Sequence, residues 1–586
     1  MRTSRAIASL ISSLMLSSSL TAAVLITPAL VGCKDEGQPE YWVEKLDDPS
    51  WRAKSVNRLV QFYEDTLSRR NNDPKAPEVV DLVNKTVEPL TKLYVDQYDN
   101  LDSKTRVALI KLLADYRDKR TEPALKKAFD QFVKLPKTSR DETDVKWAAR
   151  AEEDLQIESL QLPMLEAFRK LRTSSMLGGV AYRDMADALV AQPANKAMVG
   201  PLVQMISVQV APPNDKDKSS FDEWKDQIVW QDTAAKVLGK IGDPAAIEPL
   251  IKVMLDPTKG MTEFTTVQIT SVLALVKIGK PAADAAAKLL KSDYEKLQTF
   301  ELQRIREVTG SDEKGKPWVQ TAAVILGTIG RQDSIPVMIE VMKSEKEDST
   351  KAVIARELTK IPATPESIEA FKETFLSIPL SAELPSGGGA IDALIEASGR
   401  FCEPSLASWM VETASKLKGD ADDRKAAQAA MTVTALKLVK ADGLPEVKTA
   451  VDRYGTELEK GLYKQVESAL GACKDDVSCY LGLIQKPENQ KVENQFVGIK
   501  AGYMIAILGN EAARDKLVEE LGNIPNAGLR FVASQAIDKL SPKGSKGAAD
   551  KLNTIITTNA KSPDRDRAAG DSALKEVMYR LYARSG

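Results

Sequence analysis

The sequence predicts an all-α fold, an α-solenoid in which antiparallel helix pairs stack into a superhelix, and three observations carry that prediction. Of 586 residues, 43% are hydrophobic and 28% charged but only 5% aromatic, and Ala, Leu, Ile, Val, Lys and Glu dominate, which suits helices packed on helices rather than a β-sandwich. Residues 230–254, WQDTAAKVLGKIGDPAAIEPLIKVM, recur at 318–342 as WVQTAAVILGTIGRQDSIPVMIEVM, so that Leu238-Gly239-Lys240-Ile241-Gly242 aligns with Leu326-Gly327-Thr328-Ile329-Gly330 without a gap. Within the first copy Ala234, Val237, Leu238 and Ile241 fall at i, i+3, i+4 and i+7, and after a break Ile247, Leu250, Ile251 and Met254 do the same, the signature of two amphipathic helices. The break is Gly242-Asp243-Pro244. Gly takes the left-handed position past a helix end, Asp caps the next helix and Pro suits its first turn.

The chain begins as an exported protein would. Arg2 and Arg5 precede a largely apolar and small-residue stretch to Ile26, and Leu30-Val31-Gly32-Cys33 follows, which reads as a secretory signal rather than a domain. Those four residues resemble the bacterial lipobox. The resemblance implies cleavage before Cys33 by signal peptidase II, with diacylation on its sulfur and acylation (palmitate or similar) on its nitrogen. The alternative is an ordinary signal peptide, or an uncleaved anchor helix, with an incidental Cys33. At ~0.8 kcal/mol per buried CH₂, several acyl chains would hold the protein on a membrane essentially permanently. Lys34 rather than Asp follows the cysteine, which under the enterobacterial sorting rule implies the outer membrane. Loss of residues 1–32 removes Arg2 and Arg5 and no acids, so the formal charge goes from −2 to −4.

In order, the chain divides into residues 1–32 (signal peptide), 33–40 (acylated cysteine and polar tether), 41–210 (irregular helical repeats), 227–380 (regular repeats) and 390–586 (diverged repeats and cap). Asp48-Pro49-Ser50-Trp51 opens a first helix with Val56, Leu59, Val60 and Tyr63 on one face, and further pairs are expected from 79 to 208. Residues 211–226, APPNDKDKSSFDEWKD, have two prolines and little periodicity and read as an insertion or a break between two stacks. A third copy lies at 267–279, with Lys280-Pro281 at the turn. Pairs continue beyond 342, late copies return at 502–520 and 529–557, and the last helix, 564–583, reads as a cap charged on its outer face.

The hairpins resemble HEAT repeats of the kind called PBS-lyase HEAT-like repeats, in which a first helix ends in L-G-x-I-G and is followed by D-P and A-I-x-P-L. Residues 230–254 match nearly throughout; residues 318–342 lose the Asp-Pro turn and shift the proline to Pro336. Together with the lipobox, this resembles the HEAT-repeat lipoproteins of bacteria, a group without a common activity. The resemblance supplies a fold and leaves function open; because solenoids commonly use their long continuous surface for binding, the leading reading is a membrane-anchored, non-catalytic scaffold in the bacterial cell envelope that binds an envelope protein on a concave surface lined by the second helices. The competing reading is a ligand-binding or enzymatic protein of the bilin-lyase type.

Little chemistry is available to an enzyme of this sequence. There is no histidine, which removes Ser-His-Asp and Cys-His sites, the usual zinc ligands and imidazole-held haem. Gly570-Asp571-Ser572-Ala573-Leu574 lacks the setting and the histidine of the esterase motif it imitates. Pro385-Ser386-Gly387-Gly388-Gly389 lacks the Gly-Lys-Ser/Thr of a P-loop. Asp420-Ala421-Asp422-Asp423 has neither the Gly nor the terminal Glu of an EF-hand. No catalytic residue, metal or cofactor is expected. With 81 basic against 83 acidic residues, no global field draws nucleic acid.

The candidate sites are accordingly those of attachment and recognition. Cys33 is the lipidation site. Cys473 and Cys479 lie within one short polar segment and are expected to bridge, or else to be two small core residues; Cys402 is a buried thiol near Phe401 and Trp409, or a partner to one of them. On the second helices Asp243, Glu248 and Lys252, with Glu340 in the later copy, point away from the core and are candidate partner-binding residues. Trp224 joins them as an aromatic in an unperiodic, charged stretch with no evident packing role.

Overall fold

The helix Lys218–Ile241 stops at Gly242, whose φ of 72° is left-handed and whose N–H bonds to the carbonyl of Leu238. The Asp243 side chain then accepts the N–H of Ala245 at 2.9 Å, and the chain re-enters a helix at Ile247–Leu255. Val267–Ile278 ends at Gly279 (φ 75°) before Lys280–Leu290, and Pro317–Ile329 ends at Gly330 (φ 72°) before Ile335–Ser344. Gly242 and Gly330 are both left-handed helical, with Asp-Pro and Arg-Gln after them, whereas Gly279 joins its positive φ to a ψ of −130° before Lys-Pro, so a positive φ at glycine, not the cap, is what the three copies share.

The computed structural model describes residues 35–136, 141–173, 180–209, 211, 216–259, 267–312, 315–560 and 571–585; Cys33 lies outside them. Among the described residues the regular elements are all helices, with one isolated β-bridge between Glu383 and Gly389. The protein is an all-α solenoid. It forms two compact units, residues 1–109 and 110–586, the division falling inside the helix Ser103–Tyr116.

In the first unit the helices Pro39–Glu44, Arg52–Arg69 and Pro77–Gln97 pack on one another around Trp42, Leu59, Val87 and Tyr94, all buried. The Trp42 indole N–H donates to the carbonyl of Glu36 at 2.8 Å, so the polar tip of the largest core residue is satisfied.

The second unit has two layers. First helices stack in the order Lys218–Ile241, Val267–Ile278, Pro317–Ile329, Asp348–Leu358, Ala390–Ser398, Ala421–Leu438, Gln495–Leu508, Ala527–Lys539 and Asp571–Ser585. Second helices such as Ile247–Leu255, Lys280–Leu290, Ile335–Ser344 and Pro365–Ser377 stack beside them. Between the layers Ala234, Leu238, Leu250, Ile251 and Leu326 are fully buried, in the phase the repeat predicts. The first-helix layer also closes on itself: Asp571–Ser585 packs on Val267–Ile278 and Pro317–Ile329. This corrects one expectation. The last helix is not a cap with a charged outer face, because its Arg580 and Arg584 side chains are only 8% and 3% exposed.

Lysines join neighbouring helices. Lys240 donates its ammonium to the carbonyls of Val190, Ala191 and Gln192 at the end of Val180–Ala191, and the buried Lys500 does the same to Lys437 and Val439 at the end of Ala421–Leu438. Each places a cation on carbonyls that a helix end leaves without intrahelical donors. Burial pushes Lys500 down to about 7.

Trp224 is not exposed. Lys218–Ile241 begins twelve residues before the repeat motif, at an Asp217 side chain that accepts the N–H of Ser219, and it buries Trp224 completely and Ile228 almost so. Phe221 lies against the indole with ring centroids 5.6 Å apart. The stretch looks unperiodic because its inward positions include a polar residue with a partner. Asp226 accepts the backbone N–H and the hydroxyl of Thr173 at 2.6 and 2.8 Å and faces Arg172 at 3.4 Å.

Candidate functional site

The partner-binding candidates on the second helices are engaged in local ion pairs. Glu248 meets Lys252 one turn on at 2.8 Å and Lys296 of the helix Glu295–Thr309 at 2.7 Å, and it accepts from the Tyr294 hydroxyl at 3.4 Å. Burial would raise the Glu248 carboxyl, but hydrogen bonds from the two lysines outweigh it and hold the group below its ordinary range. Lys252 also lies 5.4 Å from the centre of the Phe300 ring. Glu340 sits apart from this cluster and pairs with Lys291 at 2.7 Å. Asp243 is spent on its turn. The structure therefore brings Glu248 and Lys252 together, adds Tyr294, Lys296 and Phe300, and leaves Glu340 with a different partner. Pairs this exposed contribute ~0–1 kcal/mol each, so a partner could exchange them at little cost.

Cys473 and Cys479 form a disulfide with Cα atoms 5.4 Å apart. It spans the corner between Glu457–Cys473 and Val477–Gln485, where Lys474 takes a positive φ of 50° and the Asp476 side chain accepts the N–H of Ser478 at 2.8 Å. Cys402 is a free, buried thiol, and burial pushes it up to about 12. It is therefore protonated and unreactive.

The most constructed polar region is where the first-helix layer closes. Asp538, on Ala527–Lys539, accepts from Arg580 with one carboxylate oxygen and from Arg584 at 2.8 Å with the other. Arg580 also reaches Glu576 at 2.6 Å. Arg584 donates to the carbonyl of Gly330 at 2.8 Å, and Arg331 returns a bond to the carbonyl of Ala583 at 3.1 Å. The ammonium of Lys277 stands 4.4 Å from the centre of the Tyr579 ring. A side chain at Gly330 would collide with this joint: its Cβ would lie 2.7 Å from Arg580 and Arg584 carbon and nitrogen atoms, whereas a Cβ at Gly242 would meet nothing within 4 Å. Glycine at the same turn thus has a local role in one copy and a second, tertiary role in the other.

Beside the joint is a cavity of ≈ 140 Å³ walled by residues 359–363, Arg400, Ala527–Lys539 and the last helix. Five cations line it, Lys360, Arg400, Lys539, Arg580 and Arg584, against two carboxylates, Asp538 and Glu576. None of these residues was singled out from the sequence. A signal was present: Ala573, Val577, Arg580 and Arg584 share one face of the last helix, and two arginines on an apolar face announce buried ion pairs rather than a solvated surface. Among the described residues no group of three or more acidic or cysteine side chains is placed to hold a metal ion.

Comparison with known proteins identifies one repeat. A family model described as the PBS lyase HEAT-like repeat matches residues 230–256. No curated protein sequence matches the chain. Among solved structures the chain is similar to importin beta, crystallised in an ammonium sulfate condition, at 10% identity over 90% of this chain and 70% of that one, with a TM-score of 0.38. An engineered protein aligns at 16% identity over 92% and 98%, TM-score 0.22. The karyopherin Kap121p, solved bound to the SUMO protease Ulp1p, aligns at 12% identity over 92% and 61%, TM-score 0.26. The match to a HEAT-like repeat is thus confined to residues 230–256, and the all-α solenoid is read from the helix pairing of the chain itself.

Proposed function

We propose that this protein is a non-catalytic scaffold of the bacterial cell envelope, held at the outer membrane through an acylated Cys33, that binds a protein partner on its layer of second helices. The observation that carries the reading is the docking of the last helix on Val267–Ile278 and Pro317–Ile329, which commits first-helix surface to the protein's own packing and leaves the stacked second helices as the continuous surface. Such surfaces are the common use of solenoids. The cluster of Glu248, Lys252, Lys296, Tyr294 and Phe300, of mixed charge with two aromatics and with Lys296 exposed, has the composition of a recognition patch. The lipobox residues 30–33 support the anchor. The absence of histidine and the buried, protonated state of Cys402 weigh against nucleophilic chemistry. A bilin-lyase type of activity finds less support, because pockets for ligands of that size run to ~300–1,000 Å³ and the closure cavity is ≈ 140 Å³.

Two measurements test the parts separately. Cys33→Ala is expected to abolish fatty-acid labelling and to move the protein from the membrane to the soluble fraction; continued labelling and retention would remove the anchor from the proposal. Crosslinking in the intact envelope is expected to capture a defined partner, and Glu248→Lys with Glu340→Lys to lose it while the melting temperature stays within a few degrees, given the small worth of exposed pairs. Capture unchanged by the double reversal would place recognition elsewhere.

A further inference from the structure

Among the described residues, Arg400 stands at the closure cavity without an ion-pair partner in contact. It follows Ala390–Ser398 on the wall of the closure cavity. Of the five cations on that wall, four have a carboxylate: Lys360 pairs with Glu357 at 2.7 Å, Lys539 with Glu403 at 2.8 Å, Arg580 with Asp538 and Glu576, and Arg584 with Asp538. Among the described residues Arg400 makes no ion pair or hydrogen bond and its Nη1 is buried without an acceptor, although its charge acts on Glu576 at longer range. A buried guanidinium N–H left without a partner is among the more costly arrangements a fold can carry. The two carboxylates on the same wall, Asp538 and Glu576, are already committed to Arg580 and Arg584, so rotating Arg400 towards them would rob another cation rather than satisfy it.

From this we infer that the cavity is a binding site for a small anion bearing a carboxylate or phosphate group, with Arg400 as its principal ligand. The wall supplies a planar guanidinium suited to two-pronged recognition of such a group, a net excess of cations, and apolar surface from Ile361, Pro362 and Val577 for a short carbon chain. The volume admits several waters or one such anion. Because the wall is built from residues 359–363, from Arg400 and from the last two first helices, an occupant touches both sides of the closure and stabilises it by binding only the closed form.

The test is titration of the intact protein with inorganic phosphate and, separately, with propionate, at constant ionic strength against chloride, read by calorimetry and by melting temperature. Saturable heat and a rise in melting temperature are expected for at least one probe, and which probe binds distinguishes a phosphate from a carboxylate ligand. Arg400→Gln is expected to weaken that binding at least tenfold and, without anion, to melt at or above the parent temperature, since it removes an unpaired cation. Arg400→Lys, which keeps the charge and loses the fork, is expected to fall between. Absence of saturable binding by both probes, binding unchanged in Arg400→Gln, or a lower melting temperature for anion-free Arg400→Gln would each overturn the inference, the last by making Arg400 a structural residue.

Discussion

Leu326→Asp is expected to abolish cooperative folding of the second unit. Leu326 is fully buried between the helix layers, on a first helix that packs on its neighbours to both sides and on the last helix. The substitution removes a leucine's worth of contact, ~2.7–5 kcal/mol in comparable cores, and adds a carboxylate that has no partner there, worth several kcal/mol more even after it protonates. That sum rivals the ~5–15 kcal/mol of an entire domain. The measurement is a circular-dichroism melt alongside Leu458→Asp. Leu458 is 65% exposed, and its replacement is expected to stay within ~0.5 kcal/mol of the parent. A cooperative melt for Leu326→Asp close to that of Leu458→Asp would show that the helical phase assigned to the repeat is wrong.

Asp538→Ala is expected to open the closure without melting the rest. Asp538 is the carboxylate shared by two arginines whose side chains are 8% and 3% exposed, and deleting one member of a buried ion network costs ~3–5 kcal/mol because the remaining charges stay buried. Neighbouring repeats keep their own interfaces, so the loss should fall on residues 571–585 and on the faces they cover. Hydrogen exchange should rise there and at Val267–Ile278, and trypsin should gain access to Arg580 and Arg584. Exchange that rises uniformly, or not at all, would mean that the joint is not a separable element.

The repeat was readable because it is local. Spacing at 3.6 residues fixes which side of each helix is apolar, and the glycine that ends each first helix fixes where it yields to the next, so the burial of Leu238, Leu250 and Leu326 and the turns at Gly242 and Gly330 were all open to the sequence. The cysteine corner was readable for the same reason. The closure was not. Whether a stack of pairs stays open or returns to its start depends on small rotations summed over many repeats, and no single repeat records the sum. The same ambiguity hid Trp224 and Asp226, since a polar residue on an inward face looks like a loop until its partner, here Thr173, is known. Arg400 shows the limit most clearly: its neighbours come from residues 359–363 and 527–585, and no window around it contains them.

The bond from Arg584 to Gly330 joins positions 254 residues apart, which has a consequence in time. A chain made at ~5–20 residues per second needs roughly 10–50 s to travel that distance. Throughout that interval the faces of Val267–Ile278 and Pro317–Ile329 that the last helix covers are finished but bare, and their apolar side chains are open to any other unfinished copy. The protein is thus most prone to aggregate after its central repeats have folded and before its last helix has been made. If the chain is exported, that window falls during translocation and is where a holding chaperone would have the most surface to grip.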